Sequence, residues 1–125
     1  MHRINIDVIN KIIFIELSGS ISVVDIRSVV AYMCDLFDKF DRGQYSMLFL
    51  EQRLDPFPQD CLPYIKKASE RMLGWAKKIA IVTSNRTVTK MQMKRIEADI
   101  RKEVNSDTPI MKFQTIKEAM NYINN

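Results

Sequence analysis

The residues of this chain whose chemistry could be catalytic are two cysteines, one histidine and a scatter of carboxylates, and their spacing assembles no site. Cys34 and Cys61 have neither metal-ligand nor redox spacing, and such a pair in a reducing compartment stays as thiols. Cys61 falls where a helix is expected to begin, a position at which backbone N–H groups and the helix dipole favour the thiolate. It has no recognisable histidine or asparagine partner. The only histidine is His2, at the terminus, so histidine-dependent nucleophilic catalysis and histidine-ligated zinc both lack their parts. Asp35, Asp38 and Asp41 recur every three residues on one predicted helix, the pattern of a solvated face rather than an acid–base pair. Gly19, Gly43 and Gly74 lie too far apart to cradle a phosphate. An enzyme is therefore not expected, and no cofactor or metal is implied.

One other pattern has a chemical meaning. Arg86, Lys90 and Lys94 recur every four residues and Arg101 extends the same side of the cylinder, with Lys66, Lys67 and Arg71 on the neighbouring helix. From Cys61 to Val104 there are eleven Lys and Arg against four Asp and Glu, a surplus of seven, whereas Met1 to Asp60 has six against nine. Such segregation can steer an anionic partner, whether a protein, a nucleic acid or a headgroup. Glu97, Asp99 and Glu103 dilute the stripe, and no aromatic residue lies on it to stack on bases, which disfavours nucleic acid. A solvated helix face is the plain alternative.

The elements that must position these residues follow from the apolar pattern. Ile4, Ile6 and Val8 alternate with polar residues, and after Ile9-Asn10-Lys11 comes the β-branched run Ile12 to Leu17, predicting a hairpin. Ser22 with Asp25 has the form of a capping box, followed by Ile26, Val29, Val30, Met33, Phe37 and Phe40 at helical spacing, and Gly43 ends that helix. Tyr45 to Leu50 is almost continuously apolar, as in a strand covered on both faces. The stretch Glu51 to Gln59 holds Pro56 and Pro58 and is predicted as an extended loop ending at a helix capped by Asp60, with Pro63 in the first turn. Leu62, Ile65, Ala68, Met72 and Trp75 give that helix its inner side. Lys78 to Thr83 is a further strand, and a long helix with Val88, Met91, Ile96, Ile100 and Val104 inward runs to Asn105. Pro109 to Phe113 and a helix opened by Thr115 and Glu118 end the chain.

The order is ββαβαβαβα, an α/β class in which four strands are parallel and Ile4 to Val8 is a hairpin partner. At 125 residues and 14.6 kDa one domain spanning 1–125 is expected, burying about two thirds of its unfolded surface. An apolar content of 46% with a mean hydropathy of −0.16 is enough to fill that interior without staples. No apolar run approaches the ~20 residues of a membrane span, and the start does not read as a signal peptide, so a cytoplasmic protein is expected. The eight methionines, among them Met91, Met93, Met111 and Met120, suit either irregular core gaps or an adaptable apolar pocket.

This order resembles the STAS domain, the module of sulfate transporters and bacterial anti-sigma-factor antagonists, and more closely its stand-alone SpoIIAA-like relatives. The resemblance rests on Phe14-Ile15-Glu16-Leu17-Ser18-Gly19 before a helix, Leu48-Phe49-Leu50-Glu51 before a loop and helix, Lys78 to Val82, and the closing Phe113 to Ile123. In antagonists of the family a serine at the start of the helix after the third strand is phosphorylated by a partner kinase. Gln59-Asp60-Cys61-Leu62 stands opposite that motif with Cys61 opposite the serine, so the phosphorylation step does not carry over. Position does: the resemblance implies a non-enzymatic interaction or regulatory module in which Glu51, Arg53, Asp55, Phe57, Asp60 and Cys61 meet a protein partner. The alternative reading of Asp60 is a helix cap alone. A second implication is carriage of an apolar small molecule, because SpoIIAA-like proteins resemble lipid-binding CRAL-TRIO domains in fold. That alternative requires an apolar cavity of several hundred Å³.

Overall fold

Short runs of β-branched and aromatic residues make five strands, and amphipathic stretches between them make four helices. The computed structural model describes residues 1–125. The strands are β1 (His2–Asp7), β2 (Ile12–Leu17), β3 (Ser46–Leu50), β4 (Ile79–Val82) and β5 (Ile110–Phe113), and the helices are α1 (Val23–Lys39), α2 (Leu62–Trp75), α3 (Thr87–Glu103) and α4 (Ile116–Asn124). They form one sheet in the order β1-β2-β3-β4-β5, with β1 antiparallel to β2 and every other pair parallel, as the apolar runs predict. No helix is long and apolar enough to cross a membrane.

The hairpin turn is held by a side chain. The Asp7 carboxylate accepts hydrogen bonds from the N–H groups of Ile9 (3.1 Å) and Asn10 (3.0 Å) and from the Asn10 side-chain amide (2.8 Å), while Lys11 takes a positive φ of 56°. These bonds, led by the Asn10 backbone, hold the Asp7 carboxyl below its ordinary range.

Because β2, β3, β4 and β5 are added in one direction, right-handed crossovers place α1, α2 and α3 on the same face of the sheet. The larger core lies there: Ile13, Ile15 and Leu17 of β2, Met47 and Phe49 of β3 and Ile79 of β4 face Ile26, Val29, Met33 and Phe37 of α1 and Ala68, Met72 and Trp75 of α2. Opposite parity on the same strands sends Ile12, Leu48, Ala80 and Val82 to the other face, where only α4 covers them. The fully buried Ala80 and Ala119 let that short helix lie close.

Two caps form as read. Ser22 accepts from the Asp25 N–H (3.2 Å) and Thr115 from the Glu118 N–H (3.2 Å). Asp60 does not cap α2: the chain enters that helix through a 3₁₀ turn, Gln59–Cys61, so the residue before the helix is Cys61 in helical geometry and no side chain caps it. The inner face of α3 is as expected at Ile96, Ile100 and Val104 but not in its first turns. Val88 and Met91 are each 65% exposed, whereas Thr89 is fully buried because its hydroxyl donates to the Leu54 carbonyl at 2.9 Å.

Candidate functional site

Helix α3 is fastened at its two ends and stands off the sheet between them. At the N-terminal end the loop after β3 is tied to it: Thr89 and Ser84 hydroxyls both donate to the Leu54 carbonyl (2.9 and 3.0 Å), and the Gln92 amide pairs with the Phe57 backbone in both directions (2.7 and 2.8 Å). The Arg86 guanidinium meets Asp55 at 2.7 Å. At the C-terminal end Ile100 is buried and Glu103 meets Lys66 of α2 at 2.8 Å. Between these ties Met93 and Ile96 are only half-buried.

Beneath them lies a cavity of about 630 Å³, within the range of about 300–1,000 Å³ typical of small-molecule sites. Its walls are Val29 and Met33 of α1, Ile65 and Met72 of α2, Phe49, Ile79 and Ile81 of the sheet, and Met93, Ile96 and Ile100 of α3. The sequence leaves it hollow for a local reason. On the same face as Ile110, β5 presents Lys112, and α3 presents Glu97 one residue after Ile96, so at these two positions a charged side chain stands where an apolar one would fill the space. Exposed Lys90, Met91, Lys94 and Arg101 on one side and Lys112 and Gln114 on the other form the rim, which places the opening between α3 and β5.

The polar groups are unevenly placed. Glu51, Thr83, Ser84 and Gln114 line the cavity near the carboxyl ends of β3, β4 and β5, the end at which parallel strands generally present ligand-binding groups. Glu51 is 5% exposed, yet its carboxyl takes no hydrogen bond from the protein. Burial pushes its pKa up to about 7, an effect partly offset by the Lys112 charge. Near neutral pH this carboxyl therefore exchanges between its two forms. Lys112 is held by Glu97 at 2.6 Å, and Glu97 is shared with Arg101 at 3.1 Å. Lys90 and Lys94 have no ion-pair partner.

The six residues expected to meet a protein partner are divided by the fold. Arg53 and Asp60 are exposed, and Asp55 is partly covered by Arg86 and Ser20. Glu51, Phe57 and Cys61 point inward, the first two into the cavity wall. The inward turn follows from the bonds that bind the loop: Leu54 forms a parallel bridge with Gly19, and Phe57 is gripped by Gln92. Cys61 is fully buried with its Sγ 3.9 Å from the Ile21 carbonyl. Burial and the neighbouring Asp60 push its thiol pKa up, the reverse of the lowering expected at a helix start. Of the basic stripe, Arg86 is engaged by Asp55 and Arg101 by Glu97, while Lys90 and Lys94 remain at the rim.

Sequence reasoning assigned Glu51 to the surface and passed over Lys112, Thr83, Ser84 and Gln92. The available signals were a carboxylate directly after a continuous apolar strand, and a lysine at inward parity with Ile110.

No family model matches the sequence, and neither does any curated protein. Among solved structures, the chain is similar to an uncharacterized DUF3478-family protein from Shewanella loihica PV-4, itself described as SpoIIAA-like in fold. The two share 10% identity and a TM-score of 0.72, over 98% of this chain and 92% of that one. The chain is also similar to the Bacillus cell fate determinant SpoIIAA in its phosphorylated form, at 12% identity and a TM-score of 0.63, over 98% of this chain and 99% of that one. The chain has a SpoIIAA-like fold. In this fold the cavity occupies the helix-covered face, between the third crossover helix and the end strand of the sheet.

Proposed function

We propose that this SpoIIAA-like domain is a non-enzymatic carrier or receptor for an apolar small molecule held beneath α3. The observation that carries the reading is the cavity of about 630 Å³, apolar along its walls and polar at one end. The side chains around it suit retention rather than turnover: the Ser84 and Thr83 hydroxyls near Glu51 donate to the Leu54 and Phe113 carbonyls with no base beside them, and His2 lies on β1, at the far edge of the sheet. Native mass spectrometry of the purified protein tests the reading. A non-covalent mass that leaves on denaturation, or saturable uptake of an apolar fluorescent probe by emptied protein, is the expected result. Absence of both contradicts it.

A protein-facing role is supported by a different observation. The loop from Gln52 to Asp60 is tied on both sides, by the Gly19–Leu54 bridge and by Gln92, so its exposed residues Arg53, Pro56, Pro58, Gln59 and Asp60 form a preorganised surface. Since Phe57 is interior, the appropriate variant is Arg53→Ala with Asp60→Ala. Recovery of identical partners by this variant and the wild type in a pull-down counts against the role.

A further inference from the structure

The cavity has a head end and a tail end. Glu51, Thr83, Ser84 and Gln114 cluster near the carboxyl ends of the strands, and Leu73, Met72, Ile79, Ile100 and Ile110 lie toward the opposite end. A wholly apolar ligand would leave a nine-tenths-buried carboxyl at the head end with nothing to bond, a costly arrangement. The ligand therefore has a polar group of its own.

Charge decides the chemistry of that group. The ionisable residues facing the cavity are Glu51 after β3, Lys112 of β5, Glu118 of α4, and Lys90, Lys94, Glu97 and Arg101 of α3, while α1 and α2 contribute none. Four cations thus oppose three carboxyls; the single Glu97 carboxylate is shared by Lys112 and Arg101 and neutralises only one of them, while Lys90 and Lys94 have no ion-pair partner at the rim. An ammonium head would enter a site already in cationic surplus. A neutral hydroxyl would leave the free lysines unused. A carboxylate is complementary to both the lysines and the protonated form of Glu51.

Resting on the carrier reading, we propose that the ligand is a single-tailed carboxylic acid whose carboxylate is held between the Glu51 carboxyl and the ammonium groups of Lys112 and Lys90, with its tail toward Ile79, Ile100 and Ile110. Glu51 enters as the neutral acid and donates one O–H to the ligand carboxylate. The ionised form offers no proton and repels the same head. Because burial sets the Glu51 pKa at about 7, with Lys112 the charge that reaches it, binding weakens as pH rises through that value.

The experiment is displacement of a neutral N-phenylnaphthylamine probe by decanoate, decanol, decyl phosphate and decylamine, at pH 6 and pH 8.5, with a thermal melt of each variant as the folding control. Decanoate is ionised at both pH values. At pH 6 decanoate is expected to displace the probe at concentrations at least tenfold below decanol, and the advantage is expected to shrink several-fold at pH 8.5. Glu51→Gln keeps a donor at the same place, so it should bind decanoate with a flattened pH response. Lys90→Met with Lys112→Met should lose about tenfold for decanoate and keep its affinity for the probe. Equal or tighter binding of decanol or decylamine overturns the proposal, as does an unchanged pH response in Glu51→Gln. Preference for decyl phosphate over decanoate overturns the carboxylate assignment. If the probe itself fails to bind the folded wild type, the carrier reading has failed, a result separate from any failure of the head-group assignment.

Discussion

The helix-covered face of the sheet has two halves built to different densities. Beneath α1 and α2 the aromatic rings of Phe37, Phe40, Tyr45 and Trp75 interlock, with centroids 4.7 Å apart for Phe37–Trp75 and 4.5 Å for Phe40–Tyr45. The Trp75 indole N–H is also satisfied, by the Phe40 carbonyl at 3.0 Å. Beneath α3 the same sheet continues, yet the space is hollow and its boundary carries Glu51, Glu97 and Lys112. Helix α3 is therefore not held by a packed interface. Hydrogen bonds, ion pairs and Ile100 hold its ends, and its middle stands over open space. Tight packing belongs to the first half, and the proposed binding site to the second.

Substitutions should respond accordingly, with the largest effect in the packed half. Trp75→Ala should lower the unfolding free energy by about 3–5 kcal/mol, because a filled site loses a large ring and one hydrogen bond. Urea denaturation reads it. A loss below about 1 kcal/mol would erase the contrast between the halves.

Next is the Glu51 carboxyl. Its pKa is about 7 in the fold against an ordinary 4.5, so between those values the folded state binds more protons than the unfolded one. Stability should therefore fall as pH rises from 4.5 to 7, by up to about 3 kcal/mol, and level off above. Glu51→Gln has no such proton to lose. Its stability relative to wild type should grow by the same amount between pH 4 and pH 8, and parallel curves for the two proteins would contradict the assigned burial.

Ile81→Phe adds volume to the hollow half, where there is room, so it should change stability by less than about 1.5 kcal/mol while reducing uptake of an apolar probe. The smallest effect belongs to Lys90→Glu at the rim: stability within about 0.5 kcal/mol of wild type, with weakened binding of anionic ligands that tightens as salt is lowered for the wild type alone. A Lys90 substitution that leaves decanoate binding untouched would contradict the place given to Lys90 in the head-group site.

Much of the architecture was legible because periodicity reports which face is buried. The strands, their parallel order and the capping roles of Ser22 and Thr115 could all be read from local patterns. The site was not, for three physical reasons. A continuous apolar run does not reveal whether its far neighbour touches it, so Ile81 looks the same whether packed or facing a cavity. The buried side of the first turns of α3 is set by Thr89 reaching Leu54, thirty-five residues away, a bond that helical spacing cannot show. Glu51 and Phe57 sit in a proline-containing stretch whose composition reads as exposed loop, yet Gly19 and Gln92 draw that stretch inward. The notion of Cys61 as an activated thiol failed likewise: a helix start lowers a thiol pKa only where water or a cation can reach it, and Cys61 has neither.

The space under α3 is proposed as a binding site and not a packing defect. Its most direct test is the affinity of a neutral N-phenylnaphthylamine probe for the emptied wild type and for Ile81→Trp, whose indole should occupy the same volume. Saturable binding of one probe per wild-type chain is expected, with a loss of at least tenfold in affinity in a variant that still melts cooperatively. Equal binding by the two folded proteins, or none by the wild type, would contradict it.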